Sequence, residues 1–150
     1  MPYSPILAPV VALVAWSLVV MLWVYFTRFP AMKRAGISLK GRVGTRGKDL
    51  DGVIADSVQW KSHNYNHLME QPTIFYAIAL SLALMGFGGG INLWLAWGYV
   101  AFRIAHSLVQ STVNIVRYRF LLFAGASLCL IALTTHAGLR LLHDCGLLDF

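Results

Sequence analysis

Two stretches of the chain carry polar side chains at helical spacing within otherwise apolar sequence. In the first stretch the polar residues are separated by four, three, four and three positions: Gln59, His63, Asn66, Glu70 and Thr73. In the second they are separated by three, four, four and three: Arg103, His106, Gln110, Asn114 and Arg117. Residues three or four positions apart share one face of an α-helix, so each set predicts a polar helix face. Because ionisable groups are costly inside a membrane, we expect the two faces to meet at a shielded functional cleft.

The predicted cleft carries an excess of positive charge. Arg28, Arg103, Arg117 and Arg119 lie in or next to the segments that form it, and Glu70 is the one carboxylate among them. Arginine binds carboxylates through two parallel hydrogen bonds, so this charge balance predicts a ligand with more than one anionic group. The alternative is structural, with Glu70 and Arg103 paired across helices and Asn66 and Gln110 joining helices by hydrogen bonds.

Composition indicates an integral membrane protein that forms one domain over residues 1–150. The chain is 58% hydrophobic and 12% charged, whereas soluble domains carry about 25% charged residues. Lys and Arg outnumber Asp and Glu by 12 to 6, but they cluster in one loop and at helix ends. This distribution favours membrane orientation over nucleic-acid binding. Cys129 and Cys145 have no metal-binding or redox spacing, so we predict no metal site and interpret both as buried apolar filler.

Four segments are long and apolar enough to span a bilayer, which predicts an all-α bundle of four transmembrane helices. They cover about residues 6–29, 58–87, 92–116 and 119–143. Pro30 is expected to end the first helix, and the glycine run Gly86–Gly90 to form the turn before the third. Pro72 interrupts the backbone hydrogen bonds of the second segment, either as a tolerated kink or as a bend that widens the cleft.

The distribution of basic residues predicts how the chain is oriented. The loop over residues 31–57 contains six of them: Lys33, Arg34, Lys40, Arg42, Arg46 and Lys48. Arg117 and Arg119 add two more at the third link, whereas the N-terminal tail and the glycine turn contain none. Since positive residues mark the cytoplasmic side, we expect a cytoplasmic first loop, an N-terminus outside, and both polar faces in the cytoplasmic half. This one-sided clustering argues against a proton-coupled exporter with Glu70 as its proton site.

Two sequence stretches resemble the MAPEG family, the membrane-associated proteins of eicosanoid and glutathione metabolism. Asn66–Ala77 (NHLMEQPTIFYA) is similar to the second-helix signature of that family. Arg103–His106 (RIAH), followed by Arg117–Phe120 (RYRF), is similar to its third-helix signature. The resemblance is closest to bacterial members, which implies a multi-pass protein of the bacterial inner membrane. It also implies a homotrimer that holds glutathione between neighbouring subunits and acts on lipophilic electrophiles or lipid hydroperoxides.

The resemblance also implies roles for individual residues. Arg28, Asn66, Glu70, Arg103 and His106 match basic or polar positions of the family's glutathione site. His67 stands where the family commonly has Asn, and Gln110 where it often has Tyr. The Arg that stabilises the glutathione thiolate follows the third helix, and either Arg119 or Arg117 could fill that place. Phe120 replaces a Ser that some members carry beside that Arg. These departures leave a second interpretation open, a non-catalytic membrane protein that binds lipid or glutathione.

Overall fold

The computed structural model describes residues 3–147 except Leu39, Arg42 and Thr45. Within these residues the chain forms five α-helices, one short 3-10 helix and no β-strand. The α-helices are α1 (Leu7–Arg34), α2 (Asp56–Leu68), α3 (Gln71–Leu84), α4 (Gly90–Ser111) and α5 (Val116–Asp144). The 3-10 helix covers Gly47–Leu50, in the long loop between α1 and α2. The all-α prediction is therefore confirmed for the described part of the chain.

Helices α1 and α5 are each long and apolar enough to cross a membrane. They contain 28 and 29 residues, which at about 1.5 Å per residue exceeds the thickness of a bilayer's hydrocarbon core. Large apolar side chains point outward from both helices, among them Leu18 and Phe26 on α1 and Leu128 and Ile131 on α5. Outward-facing apolar surface of this kind suits contact with lipid.

The prediction that Pro30 ends the first helix is wrong, because α1 continues through Pro30 to Arg34. A proline inside a helix removes one backbone hydrogen bond but does not forbid the next turn. Here the extra turn places Met32 in a small buried cluster with Leu50 and Ile54 of the following loop. Burial of Met32 offsets the lost bond, and it anchors the loop against the end of α1.

The second predicted segment is not one helix, since helical structure is interrupted at Met69 and Glu70, between α2 and α3. Pro72 occupies the first turn of α3, where its missing N–H costs nothing. In a continuous helix its ring would clash with the carbonyl of Leu68. The break therefore has a local cause, and it ends the shared polar face expected from Gln59 to Thr73.

Helix α4 is the central helix, and it packs against α1, α2 and α5. The apolar core combines side chains from four helices, including Leu13, Phe75, Val100 and Leu133. Tyr99 of α4 stacks on Phe75 of α3 with 4.4 Å between ring centroids. One face of α4 is apolar in this core, while the other carries buried polar residues toward α2.

The third and fourth helices differ from their predicted bounds at the link between them. Helix α4 ends at Ser111, five residues earlier than expected, and α5 begins at Val116. Asn114 lies in the link with a φ of 52°, a left-handed conformation that no α-helix continues through. Arg117 is therefore part of α5 and does not extend the polar face of α4. The glycine run forms the turn between α3 and α4, as predicted.

Candidate functional site

The break between α2 and α3 leaves a backbone carbonyl for a side chain to bind. The guanidinium of Arg103, on α4, donates from Nη2 to the carbonyl oxygen of His67 across 2.8 Å. Arg103 is fully buried, and it lies over the ring of Phe123 with 5.9 Å between its Cζ and the ring centroid. The buried arginine thus binds a carbonyl oxygen that the interruption between α2 and α3 makes available.

Most of the hydrogen-bonding capacity of Arg103 is unused within the described residues. Its Nε and Nη1 have no partner there, and no carboxylate of these residues forms an ion pair with it. The alternative of a Glu70–Arg103 pair is therefore wrong for this chain, because Glu70 binds His67 instead. A buried, unpaired guanidinium is costly, which makes Arg103 a strong candidate to bind an anion.

His67 connects the helix break to a group of aromatic rings. Its Nδ1 lies 2.8 Å from Oε2 of Glu70, three residues later. Because a carboxylate accepts, Nδ1 carries the proton, and Nε2 of a neutral ring is left free for another partner. The ring centroid of His67 lies 5.0 Å from that of His106 and 5.4 Å from that of Phe123.

A cavity of about 250 Å³ opens beside these rings, between α2, α4 and α5. Its lining combines two imidazoles, one guanidinium and an apolar wall: His67, His106, Val116, Arg119, Phe120 and Phe123. A small polar group could bind at the imidazoles and the guanidinium while an apolar group rests on the phenylalanines. We call this space the His–Arg cavity.

The electrostatics of the His–Arg cavity favour an anion. Arg119 lies within the first four residues of α5, where the unpaired backbone N–H groups already carry partial positive charge. No acidic residue occupies that first turn. Arg119 is half-buried, its Nη1 donates to Oδ1 of Asn114 across 2.8 Å, and its Nε has no partner in the described residues. A cation at a helix N-terminus opposes the helix dipole, so this arginine does not serve helix stability.

The other predicted site residues lie outside the His–Arg cavity. Arg117 is exposed, and its side chain makes no hydrogen bond within the described residues. Asn66 is exposed on α2, as is Glu70 after it, so the expectation that the first polar face turns toward α4 is wrong within one chain. Gln110 is buried on α4, and its Oε1 lacks a partner in the part of the chain that the structure describes.

Arg28 lies at a separate place, where α1 meets the long loop. Its Nη1 donates to Oγ of Ser62 across 3.1 Å, and its Nη2 donates to the carbonyl oxygen of Gly47 across 2.7 Å. It also lines a second cavity of about 270 Å³ with Arg46 and apolar side chains of α1. Within one chain, Arg28 therefore anchors the loop and does not join the other candidate residues.

The buried polar contact between α2 and α4 is made by a residue that the sequence analysis missed. Asn64 is fully buried, and its Nδ2 donates to Oγ of Ser107 across 2.6 Å and to Oγ of Ser111 across 2.9 Å. The two serines lie one turn apart on α4, which is the only local signal for this contact. Phe123 was also missed, because an isolated phenylalanine in an apolar helix carries no signal.

A histidine in the second half of α5 lies outside this site. The Nδ1 atom of His136, on α5, is 2.7 Å from Oδ1 of Asn92, at the start of α4. Asn92 in turn donates to the carbonyl oxygen of Phe87 in the glycine turn. This contact joins α4 and α5.

Comparison with known protein families identifies the family of this chain. A model of the MAPEG family matches residues 6–139, which include all five helices up to the last turn of α5 and every residue of the His–Arg cavity. Neither the comparison with curated proteins nor the comparison with solved structures gives a match. The match extends over most of the chain, and the apolar helices α1 and α5 agree with a membrane location. The chain therefore belongs to the MAPEG family of helical membrane proteins.

Proposed function

We propose that the protein is a glutathione-dependent transferase or peroxidase that acts on lipophilic electrophiles or lipid hydroperoxides. Family membership supports a glutathione-related function of this general kind. The observation that carries the specific proposal is the position of Arg119, whose guanidinium lines one cavity with His67 and His106. In this proposal the glutathione sulfur binds there, and Arg119 stabilises its thiolate.

The chemistry follows from the charge of Arg119. A free thiol has a pKa of about 8.5, so most of it is protonated at neutral pH. A guanidinium beside the sulfur lowers that pKa and raises the fraction of thiolate, which is the nucleophile. With an electrophile, the sulfur forms a C–S bond as the leaving group departs. With a hydroperoxide, the sulfur attacks the outer oxygen and the O–O bond breaks. This releases an alcohol and leaves a sulfenic acid, which a second glutathione converts to disulfide and water.

The remaining site residues bind the rest of glutathione in this proposal. The free N–H groups of Arg103 suit a carboxylate, and the carboxylate of Glu70 suits the glutathione ammonium group. His67, His106 and Gln110 supply further hydrogen bonds from α2 and α4. Residues that are exposed or distant within one chain act at the contact between subunits: Arg28, Asn66 and Glu70.

The assignment of some site residues to the contact between subunits supports a homotrimer of four-span subunits. Helices α2 and α3 together would make the second span, between α1 on one side and α4 on the other. Asn66 and Glu70 are exposed on a protein whose outer surface is otherwise rich in apolar side chains. A polar surface at membrane depth needs a partner, and a neighbouring subunit would supply it. Native mass spectrometry in mild detergent should give three copies, and a monomer that still binds glutathione would contradict the shared site.

The proposed placement is the bacterial inner membrane, with the N-terminus outside and the first loop in the cytoplasm. The basic residues of that loop support this orientation. The apolar walls of the His–Arg cavity, Phe120 and Phe123, would then lie near the cytoplasmic face of the bilayer. A lipophilic substrate could reach the thiolate from the membrane while glutathione enters from the cytoplasm.

The test compares Arg119→Ala with Arg117→Ala. Both changes remove one arginine from the first turn of α5, but only Arg119 lines the cavity. We expect Arg119→Ala to lose the ultraviolet absorbance of bound thiolate and to lose turnover at neutral pH, with partial recovery of turnover as the pH rises. Arg117→Ala should resemble the unmodified protein. The opposite pattern would transfer the role to Arg117, and no change in either variant would exclude thiol activation by these arginines.

The second candidate function is non-catalytic binding of lipid or glutathione. The apolar part of the cavity lining, which includes Val116, Phe120 and Phe123, favours it because this surface suits an apolar ligand without any reaction. Calorimetric titration with glutathione, followed by assays with a generic electrophile and a lipid hydroperoxide, separates the two functions. Binding without turnover of either substrate would support the second.

A further inference from the structure

Asn114 lies where α4 ends, and its backbone closes that helix. Its φ of 52° is left-handed, and its backbone N–H donates to the carbonyl oxygen of Val109 across 2.7 Å. Among residues with a side chain, asparagine adopts this conformation most readily, and glycine adopts it with no cost at all. If the only role of this position were to cap the helix, glycine would fill it equally well.

The side chain of Asn114 makes a contact that capping does not require. Its Oδ1 accepts from Nη1 of Arg119 across 2.8 Å. This bond holds one edge of a guanidinium whose Nε has no partner among the described residues. No carboxylate in that part of the chain forms an ion pair with Arg119. Asn114 is therefore the one side chain of the described residues that is bonded to this cation.

The position of Arg119 needs such a restraint. The guanidinium is repelled by the positive end of the α5 dipole. A long side chain without a partner would sample several rotamers, most of them directed away from that repulsion. A carboxylate would hold it but would cancel its charge. A neutral amide oxygen restrains the cation and leaves its full charge for a ligand.

We propose that Asn114 is a positioning residue that directs the guanidinium of Arg119 into the His–Arg cavity through its side-chain carbonyl. This inference rests on the proposed function, in which Arg119 stabilises the glutathione thiolate. In this proposal position 114 requires a left-handed backbone and a neutral side-chain oxygen that accepts a hydrogen bond from Arg119. Asparagine satisfies both, which distinguishes this site from an ordinary helix end closed by glycine.

Several titratable groups face this pair and must be considered in any pH measurement. Asp51, Asp56 and His63 line a polar cavity together with Asn114. On the other side, His67 and His106 line the His–Arg cavity with Arg119. Their ionisation changes the field at the cavity in every variant. The comparison therefore uses the difference between variants at each pH, which removes this shared background.

The decisive variant is Asn114→Gly, because glycine keeps the left-handed cap and removes only the acceptor. We expect the protein to assemble normally and, at a pH well below the midpoint, where glutathione binds as the thiol, to bind it with unchanged affinity. The pH–rate midpoint should move upward, since a mobile guanidinium stabilises the thiolate less. At a pH well below the midpoint, an upward shift of one pKa unit would lower the thiolate fraction by roughly tenfold. Thr112→Ala, in the same link, is the control and should behave as the unmodified protein.

A double variant tests whether Asn114 acts through Arg119. In the Arg119→Ala background, Asn114→Gly should cause no further loss of rate, because the cation it positions is absent. An additional loss of similar size in both backgrounds would overturn the inference, as would an unshifted profile of Asn114→Gly beside a clear loss in Arg119→Ala. No effect of Arg119→Ala would instead refute the proposed function itself.

If Asn114→Gly fails to assemble, Asn114→Asp replaces it. Aspartate also tolerates the left-handed conformation and keeps the acceptor, but its charge pairs with Arg119. The pH–rate midpoint should again move upward, because the positive charge that faces the thiol is cancelled. A profile equal to that of the unmodified protein would show that Asn114 does not govern Arg119.

Discussion

The buried guanidinium of Arg103 binds the backbone carbonyl of His67 across 2.8 Å, at the point where α2 gives way to α3. A continuous helix would direct this carbonyl toward the backbone N–H four residues later. The break at Met69 and Glu70 makes the carbonyl available to α4. The position of a candidate ligand-binding arginine thus depends on the backbone of another helix.

Removal of Arg103 should weaken both folding and glutathione binding. Arg103→Ala leaves the His67 carbonyl without its partner, at a cost of roughly 1–3 kcal/mol for a buried unsatisfied group. We expect a lower midpoint of thermal unfolding in detergent and weaker glutathione binding by calorimetry. Arg140→Ala removes an exposed arginine on α5 that pairs with Asp144, and it should change neither quantity measurably. Equal behaviour of the two variants would remove Arg103 from the site.

Pro72 should maintain the geometry at the end of α2. Pro72→Ala restores a backbone N–H and removes the clash with the Leu68 carbonyl, so α2 and α3 can join into a continuous helix. We expect slower amide hydrogen exchange around Glu70 together with weaker glutathione binding, because the His67 carbonyl would turn away from Arg103. Pro30→Ala, at the proline in the last two turns of α1, should leave binding unchanged. Unchanged affinity in Pro72→Ala would mean that the break has no role in the site.

Glu70 should contribute to ligand binding rather than to folding. Its side chain is 67% exposed, and its one hydrogen-bonded side-chain partner in the described residues is His67. If it binds the glutathione ammonium group, Glu70→Gln should weaken affinity by roughly 1.5–3 kcal/mol, the value of a charged hydrogen bond. The unfolding midpoint should change little. A marked loss of stability with normal affinity would support a structural role instead.

The loop after α1 should loosen in acid. A hydrogen bond from Gln59 lowers the pKa of Asp51 below its ordinary value of 3.8, and the nearby charges of His63 and Arg28 act in the same direction. A carboxyl whose pKa is lower in the folded state stabilises that state above its unfolded pKa. The stabilisation is lost as the pH falls through the folded value. Below pH 3.8 we expect faster hydrogen exchange in residues 46–54, and Asp51→Asn should lack this acid-dependent change.

Impermeant thiol reagents can test the proposed orientation. Single cysteines at Lys40 and Gly89 are suitable because Lys40 is exposed and a side chain at Gly89 would meet no neighbouring atom within 4 Å. The native Cys129 and Cys145 must first be replaced by Ser, since Cys145 is exposed and the prediction that it is buried is wrong. In intact cells we expect labelling at position 89 and none at position 40. The reverse pattern would invert the topology.

The helical spacing of α4 by itself identified the side of that helix that is buried. Arg103, His106 and Gln110 were expected on one face, and all three are buried. The same spacing in α2 and α3 gave a wrong prediction of the buried side, because Asn66 and Glu70 are exposed and Asn64 is buried. Periodicity defines a face but not its direction. Here the direction was decided by two serines of α4, to which only the folded chain brings Asn64.

The sequence alone determined the family signatures, the helical class and the glycine turn, because these depend on residues close together in the chain. It left Arg117 and Arg119 as alternatives, since their directions depend on where α4 ends and α5 begins. The tertiary structure places Arg119 in the cavity and Arg117 outside it, because Asn114 breaks the helix between them and α4. Contacts across distant segments, such as Met32 with Leu50, likewise decided that α1 continues past Pro30. Local propensity cannot determine such features, because their free energy comes from packing between segments far apart in the sequence.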